Sequence, residues 1–198
     1  DPCLQFQLKG EHSGAEAEKE LEIRMHKAIS VIQFKVEGET IKRNPSFHLE
    51  KRNLLHLIDY EAGKITLDGK EYELLDHYFP TIDPKDPYAL TEEEEDIMER
   101  LTCAFLNCEK LQKHMRFLLN KGSLYKVYNN NLLYHGCVPL CEDGSLKTVR
   151  IYGHEYKGKS LYEVLENYVR KGFYAIDAGE RQRGRDMMWY IWLSENSP

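Results

Sequence analysis

Residues 123–139 read SLYKVYNNNLLYHGCVP: two aromatic and aliphatic runs joined by three asparagines, the second run stopping at His135-Gly136. Asparagine accepts positive φ, so residues 129–131 suit the tight turn of a β-hairpin. Tyr125 and Val127 before the turn, and Leu132, Leu133 and Tyr134 after it, have the character of paired strands. His135 then falls at the C-terminal end of the second strand, with Gly136 free to bend beside it. An imidazole on a rigid strand end is oriented well enough to ligate a metal. The same placement describes an ordinary loop or core-edge histidine, and the local sequence leaves both readings open.

Around this hairpin lies a chain of 198 residues, 41% apolar and 30% charged, with a formal charge of −6. The composition supports a globular core, and the acidic balance argues against general attraction to nucleic acid or anionic membrane. No apolar run approaches the ~20 residues of a membrane span. The opening Asp1-Pro2-Cys3 lacks a signal-like segment and reads as the start of a processed or trimmed piece. Five cysteines at irregular spacing do not form a disulfide framework, and a cytoplasmic protein is expected. Cys137-x3-Cys141 beside His135 resembles half of a zinc site. No matching second pair follows, so two small apolar-behaving thiols are the preferred reading.

Upstream, residues 15–37 predict an amphipathic helix on Leu21, Met25, Ala28, Ile29, Ile32 and Val36, with Lys35 on another face. Asn44-Pro45 breaks it, and residues 49–59 predict a short helix. Asp68-Gly69 between alternating β-formers predicts a type I′ hairpin over residues 65–74. A proline-rich connector, residues 79–87, carries Asp83 and Asp86, read as turn formers rather than metal ligands. Thr91 and Glu94 make a capping box opening a helix that runs to about residue 120, its four glutamates forming a solvated N-terminus. Beyond the histidine hairpin, residues 142–145 predict a turn and residues 148–156 two strands around Gly153-His154. Ser160 caps a helix that ends near Gly172. The segment 184–193 is apolar and aromatic, of undecided type. The chemistry of phosphate binding fits Arg181, Arg183 and Arg185, whose guanidinium forks suit phosphate oxygens, as does a solvated loop. No nucleophile elbow, phosphate-binding glycine loop, Rossmann pattern or HExxH occurs.

Four segments together, SLYKVYNNNLLYHGCVPL (123–140), FPTIDPKDPYALTEEEE (79–95), KLQKHMRFLLNKGS (110–123) and GRDMMWYIW with NSP (184–198), closely resemble the class III, Firmicute-type fructose-1,6-bisphosphatases. The resemblance extends from the first helix to the last residue. It implies the calcineurin-like metallophosphoesterase superfamily, in which a strand ends in His-Gly-Gly and the histidine binds one of two metals. His135-Gly136-Cys137 matches that element, with Cys137 for the second glycine. By resemblance, His135 is therefore a metal ligand, the metal is divalent, manganese, in a two-metal site of the parent enzyme, and the substrate is a sugar bisphosphate.

The superfamily's D-x-H, GDxxDRG and GNH(D/E) elements are absent from this sequence. The chain thus reads as an internal fragment of a gluconeogenic fructose-bisphosphatase, inactive by itself. The implied fold is mixed α/β: a mainly helical segment with one hairpin over residues 1–120, then residues 121–198 as part of a metallophosphoesterase-like β-sandwich. Lys126, Arg181, Arg183 and Arg185 are the candidate phosphate contacts, and an oligomer is compatible with the sequence. Two other functions remain in play, a non-catalytic helical interaction or regulatory module, and protein dephosphorylation on the same fold.

Overall fold

The structure, a computed structural model, describes residues 5–6, 15–134 and 136–198, with the backbone alone for 15–18. The chain is mixed α/β and divides into two compact units, residues 1–43 with 50–104 and residues 44–49 with 105–198. The sequence-based boundary near residue 120 lies inside the second of these.

The first unit is built on helix α1, Ala15–Arg43. It continues six residues past the expected end because Thr40 and Ile41 are buried, which prolongs the inward face. The helix stops where Pro45 withdraws the helical conformation from Asn44. Its buried face is Ala28, Val31, Ile32 and Lys35, while Leu21, Met25 and Ile29 are exposed. The expected stripe is therefore rotated, and it includes a charge. Ala28 and Val31 pack in a cluster with Phe6, Leu55, Ile82 and Tyr88. Gly38 permits this, because a Cβ there would overlap the Tyr88 ring.

Residues 49–59 form two single 3₁₀ turns, Glu50–Arg52 and Leu55–Leu57, leading into strand β1, Ile58–Asp59, instead of the predicted short helix. Strands β2, Lys64–Leu67, and β3, Lys70–Glu73, complete a three-stranded antiparallel sheet in the order β1-β2-β3. The Asp68-Gly69 turn has φ of 48° and 77°, the left-handed pair that a type I′ turn requires. In the connector, Asp83 Oδ1 accepts from the Lys85 N–H at 2.9 Å, the turn-forming use expected of it.

Helix α2, Glu92–Asn107, opens on the predicted capping box. The Glu94 N–H donates to Thr91 Oγ1 at 3.3 Å, and the Thr91 N–H donates to Glu94 Oε2 at 2.9 Å. The single long helix expected here is broken at Cys108, whose extended backbone starts α3, Glu109–Lys121. Gln112 Nε2 donates to the Phe105 carbonyl at 3.2 Å, so the break leaves that terminal acceptor satisfied.

In the second unit, β4, Tyr125–Tyr128, and β5, Asn131–Tyr134, form one hairpin. Another joins β6, Val149–Ile151, to β7, His154–Tyr156. The Gly153-His154 pair thus belongs to a turn and an exposed strand. Helix α4 is Lys159–Tyr174, with Gly158 and not Ser160 at its N-cap. Ser160 Oγ instead donates to the Lys157 carbonyl at 3.0 Å. The undecided C-terminal segment is helix α5, Ala178–Leu193, capped by Asp177, which accepts from the Glu180 N–H at 2.8 Å. Gly172 does not end α4. It lies against Gly184 of α5, where a Cβ on either residue would meet the other's backbone. Phe47 is buried, 5.7 Å from the Tyr152 ring and 5.0 Å from the Tyr190 ring.

Candidate functional site

The β4–β5 turn places Asn129 and Asn130 at φ of 48° and 61°, as the asparagine run predicts. Register pairs Tyr125 with Tyr134, Lys126 with Leu133, Val127 with Leu132 and Tyr128 with Asn131. Directly paired residues share a face. Tyr125, Val127, Leu132 and Tyr134 accordingly line one side, over a cavity of about 280 Å³ closed by Val138, Leu146 and Tyr162 among others. Lys126 and Leu133 occupy the opposite face.

His135, the predicted metal ligand, lies outside the described residues; its neighbours on both sides are described. Gly136 is close to Pro198, and a Cβ on Gly136 would meet the Pro198 carbonyl carbon at 2.8 Å. Only glycine fits that approach without movement. Cys137 Sγ lies 3.4 Å from the Ser197 carbonyl, and the Cys137 carbonyl accepts from the Tyr162 hydroxyl at 2.8 Å. Burial, with Cys137 and Tyr134 adding to it, raises the Tyr162 pKa, so this phenol keeps its proton and remains a donor.

Tyr162 is one of three α4 residues that hold the hairpin region. Four residues on, Glu166 accepts from the Ser123 hydroxyl and from the Leu124 N–H, the latter at 2.5 Å. Four further, Arg170 donates to the Leu119 carbonyl and to the Gly122 carbonyl, the latter at 3.3 Å. The spacing i, i+4, i+8 puts all three on one helix face. One face of α4 thus fixes the end of α3, the start of β4 and the backbone just after His135. Sequence reasoning missed these residues. The signal available was the polar i, i+4 series running beside the apolar Leu161 and Leu165 of the same helix.

The remaining candidates sit on two elements, Lys126 on β4 and the three arginines on α5. Lys126 projects from the exposed face of β4. Arg181 is half-buried and committed to main-chain acceptors, donating to the Ala175 carbonyl from Nε at 3.0 Å and from a terminal nitrogen at 2.9 Å. Arg183 and Arg185 are exposed. On α5 a spacing of two turns Arg183 away from the face shared by Arg181 and Arg185.

Among the described residues, no group of three or more His, Cys, Asp or Glu is placed to hold a metal ion. Divalent ions of the hard, oxygen-seeking kind need several such ligands. The described donors do not fit a two-metal centre. The same unit of the chain does hold a buried acid, Asp186, but it accepts from Asn44 Nδ2 and Gln182 Nε2, each at 2.8 Å, in a structural network. In the other unit, Lys35 and Glu94 are both fully buried, with Lys35 Nζ 2.7 Å from Glu94 Oε2 and 2.6 Å from the Thr81 carbonyl. Glu94 thereby departs from the solvated acidic run expected of it. Among the described residues no helix is long and apolar enough to cross a membrane.

The family model described as Firmicute fructose-1,6-bisphosphatase matches residues 1–198. A relative named fructose-1,6-bisphosphatase class 3 from Clostridioides difficile (strain 630) is 52% identical over 199 residues, covering 100% of this chain and 30% of the relative. Relatives of the same name from Clostridium botulinum (strain Alaska E43 / Type E3) and Listeria innocua serovar 6a are 49% and 47% identical, covering 100% and 97% of the chain. The chain spans about 30% of the length of these curated relatives. No solved structure matches it.

Proposed function

The chain belongs to the Firmicute fructose-1,6-bisphosphatase family, and from that membership we propose that it is one portion of a fructose-1,6-bisphosphatase. The reaction is hydrolysis of the 1-phosphate of fructose 1,6-bisphosphate to fructose 6-phosphate, a gluconeogenic step carried out in the cytoplasm. The observation that carries this reading is the family match over the whole of residues 1–198.

In this reading His135 contributes one ligand to a site for divalent ions, manganese by preference. The other ligands come from polypeptide that the longer relatives have and residues 1–198 do not include. What this chain contributes is positioning. Tyr162, Glu166 and Arg170 hold the backbone on either side of the hairpin, so that the strand end carrying His135 keeps its direction. Lys126, Arg183 and Arg185 are exposed cations open to phosphate oxygens, whereas the Arg181 guanidinium is engaged by carbonyls.

The test measures phosphate release from fructose 1,6-bisphosphate in the presence of manganese. Two proteins are compared: residues 1–198 alone, and a hybrid in which they replace the matching portion of the Clostridioides difficile relative. The hybrid is expected to turn over and the chain alone to stay at the blank. His135→Ala in a folded hybrid is expected to lower kcat by roughly 100-fold or more, at least the loss seen for disturbed metal sites. Turnover by the chain alone contradicts the partial-site reading. A hybrid that hydrolyses a phosphopeptide but not the sugar bisphosphate makes this a protein phosphatase, and one inert toward both favours a non-catalytic module.

A further inference from the structure

The two-residue turn between β6 and β7 is Tyr152-Gly153, with φ of 46° and 87°. Glycine, asparagine and aspartate take such left-handed angles readily, whereas a tyrosine takes them against its own Cβ. A residue held in this way persists where its surroundings over-determine it. The Tyr152 ring lies 5.7 Å from that of Phe47 and 5.1 Å from that of Tyr168 on α4. Its hydroxyl lies 3.3 Å from the Arg183 carbonyl on α5 and 3.5 Å from Asn44 Oδ1, one donor shared by two acceptors. Burial, with the Asp186 carboxylate adding to it, pushes the Tyr152 pKa well up, so the hydroxyl keeps its proton and remains a donor. An asparagine here would relax the turn but is too short to replace these contacts with α4 and α5.

The turn of α5 that this hydroxyl meets is fixed at neighbouring positions as well. Asp186 accepts from Asn44 Nδ2 and from Gln182 Nε2, each at 2.8 Å, and Gly184 lies against the Gly172 backbone. From this turn the Arg183 side chain is exposed. A cation whose main chain is already fixed gives up only side-chain freedom when it takes an anion, which is the advantage of preorganisation. The Arg181 guanidinium, by contrast, is engaged by the Ala175 carbonyl. We propose that Tyr152 is a positioning residue for the substrate: its hydroxyl holds the α5 turn from which the Arg183 guanidinium takes a phosphate group of the sugar bisphosphate. The inference rests on the reading of the chain as one portion of a fructose-1,6-bisphosphatase, and it selects Arg183 among the exposed cations. Ring and hydroxyl have separate tasks. The ring packs between Phe47 and Tyr168, and the hydroxyl alone reaches Arg183.

The test titrates fructose 1,6-bisphosphate calorimetrically into the metal-free hybrid with the Clostridioides difficile relative, so that binding is read without turnover. Arg183→Ala is expected to weaken binding roughly tenfold or more, the value of a charge-assisted hydrogen bond. Tyr152→Phe keeps the ring and is expected to weaken binding about threefold to fivefold, with no further loss when residue 183 is already alanine. Tyr152→Asn, which suits the left-handed turn but lacks the ring and its reach, is the second variant, expected to weaken binding at least as much as Tyr152→Phe. Circular dichroism melting of each variant checks that it is folded. A Tyr152→Phe hybrid that melts lower but binds unchanged makes the tyrosine a core residue only and overturns the proposal. Equal loss from Tyr152→Phe with and without Arg183 also overturns it, as does an Arg183→Ala hybrid that binds like the unsubstituted one, or an unsubstituted hybrid that does not bind. The expected binding pattern in a hybrid that releases no phosphate with manganese refutes the functional reading alone. Turnover by a hybrid whose binding is untouched by Tyr152→Phe refutes this inference alone.

Discussion

Lys35 and Glu94 form an ion pair in which both side chains are withdrawn from solvent. Both are buried and joined at 2.7 Å, and Glu94 also closes the capping box of α2. Removing one partner leaves the other charged and dry, which typically costs about 3–5 kcal/mol. Lys35→Met and Glu94→Gln are each expected to lower stability by that order in urea denaturation, while the double replacement Lys35→Met with Glu94→Leu recovers most of the loss. Thr91→Ala is expected to cost about 1 kcal/mol, the ordinary value of an N-cap. Tyr60, whose hydroxyl donates to the Leu55 carbonyl at 2.7 Å, has its pKa pushed up to about 12 by burial. The folded state holds this proton more tightly than the unfolded chain. The stabilisation is complete below about pH 10, the unperturbed tyrosine value, and is lost as pH rises through about 12. Tyr60→Phe is expected to flatten alkaline unfolding in that window, followed by circular dichroism. The capping box is legible in the sequence, because both partners lie three residues apart. The ion pair is not, because its partners are 59 positions apart and each resembles a surface charge on its own helix.

Among the elements, the turns are the most legible. Asp68-Gly69 and Asn129-Asn130 adopt positive φ as their residue types predict, since the requirement is local. Asn130→Val is expected to destabilise the second unit by about 1–2 kcal/mol, the cost of a left-handed conformation at an ordinary residue, and Asn130→Gly to be neutral or better. Thermal denaturation of the two variants side by side checks the sign. The helices are less legible at their ends. Gly172 reads as a terminator from sequence, yet its use is the close approach to Gly184. Gly184→Ala therefore forces α4 and α5 apart, with an expected loss of about 1–3 kcal/mol, whereas propensity alone would predict a gain. The break at Cys108 is likewise hidden, because the apolar period continues across it. The role of Tyr162, Glu166 and Arg170 has no local signature, because their partners lie 25, 42 and 51 positions away in sequence.

At the scale of the whole molecule, mixed α/β composition and the presence of hairpins follow from periodicity and turn chemistry. The candidate site was legible only through ordered resemblance across several segments, since a lone histidine on a strand end has no local signature that separates ligand from loop. The two units were not legible at all. Their division follows packing, and the six residues 44–49 group with 105–198 although the chain on both sides of them belongs to the first unit. That arrangement has a consequence for synthesis. Phe47 leaves the ribosome before the Tyr190 ring it packs against, which is made roughly 140 residues later, on the order of ten seconds at ribosomal speed. For that interval an apolar side chain and its flanking turn wait without their socket. Phe47→Ser should therefore lower the yield of folded protein at slow translation less than at fast only if chaperones do not shield the wait. Pulse-chase proteolysis of the nascent chain, with and without added trigger-type holdase, reads that interval directly.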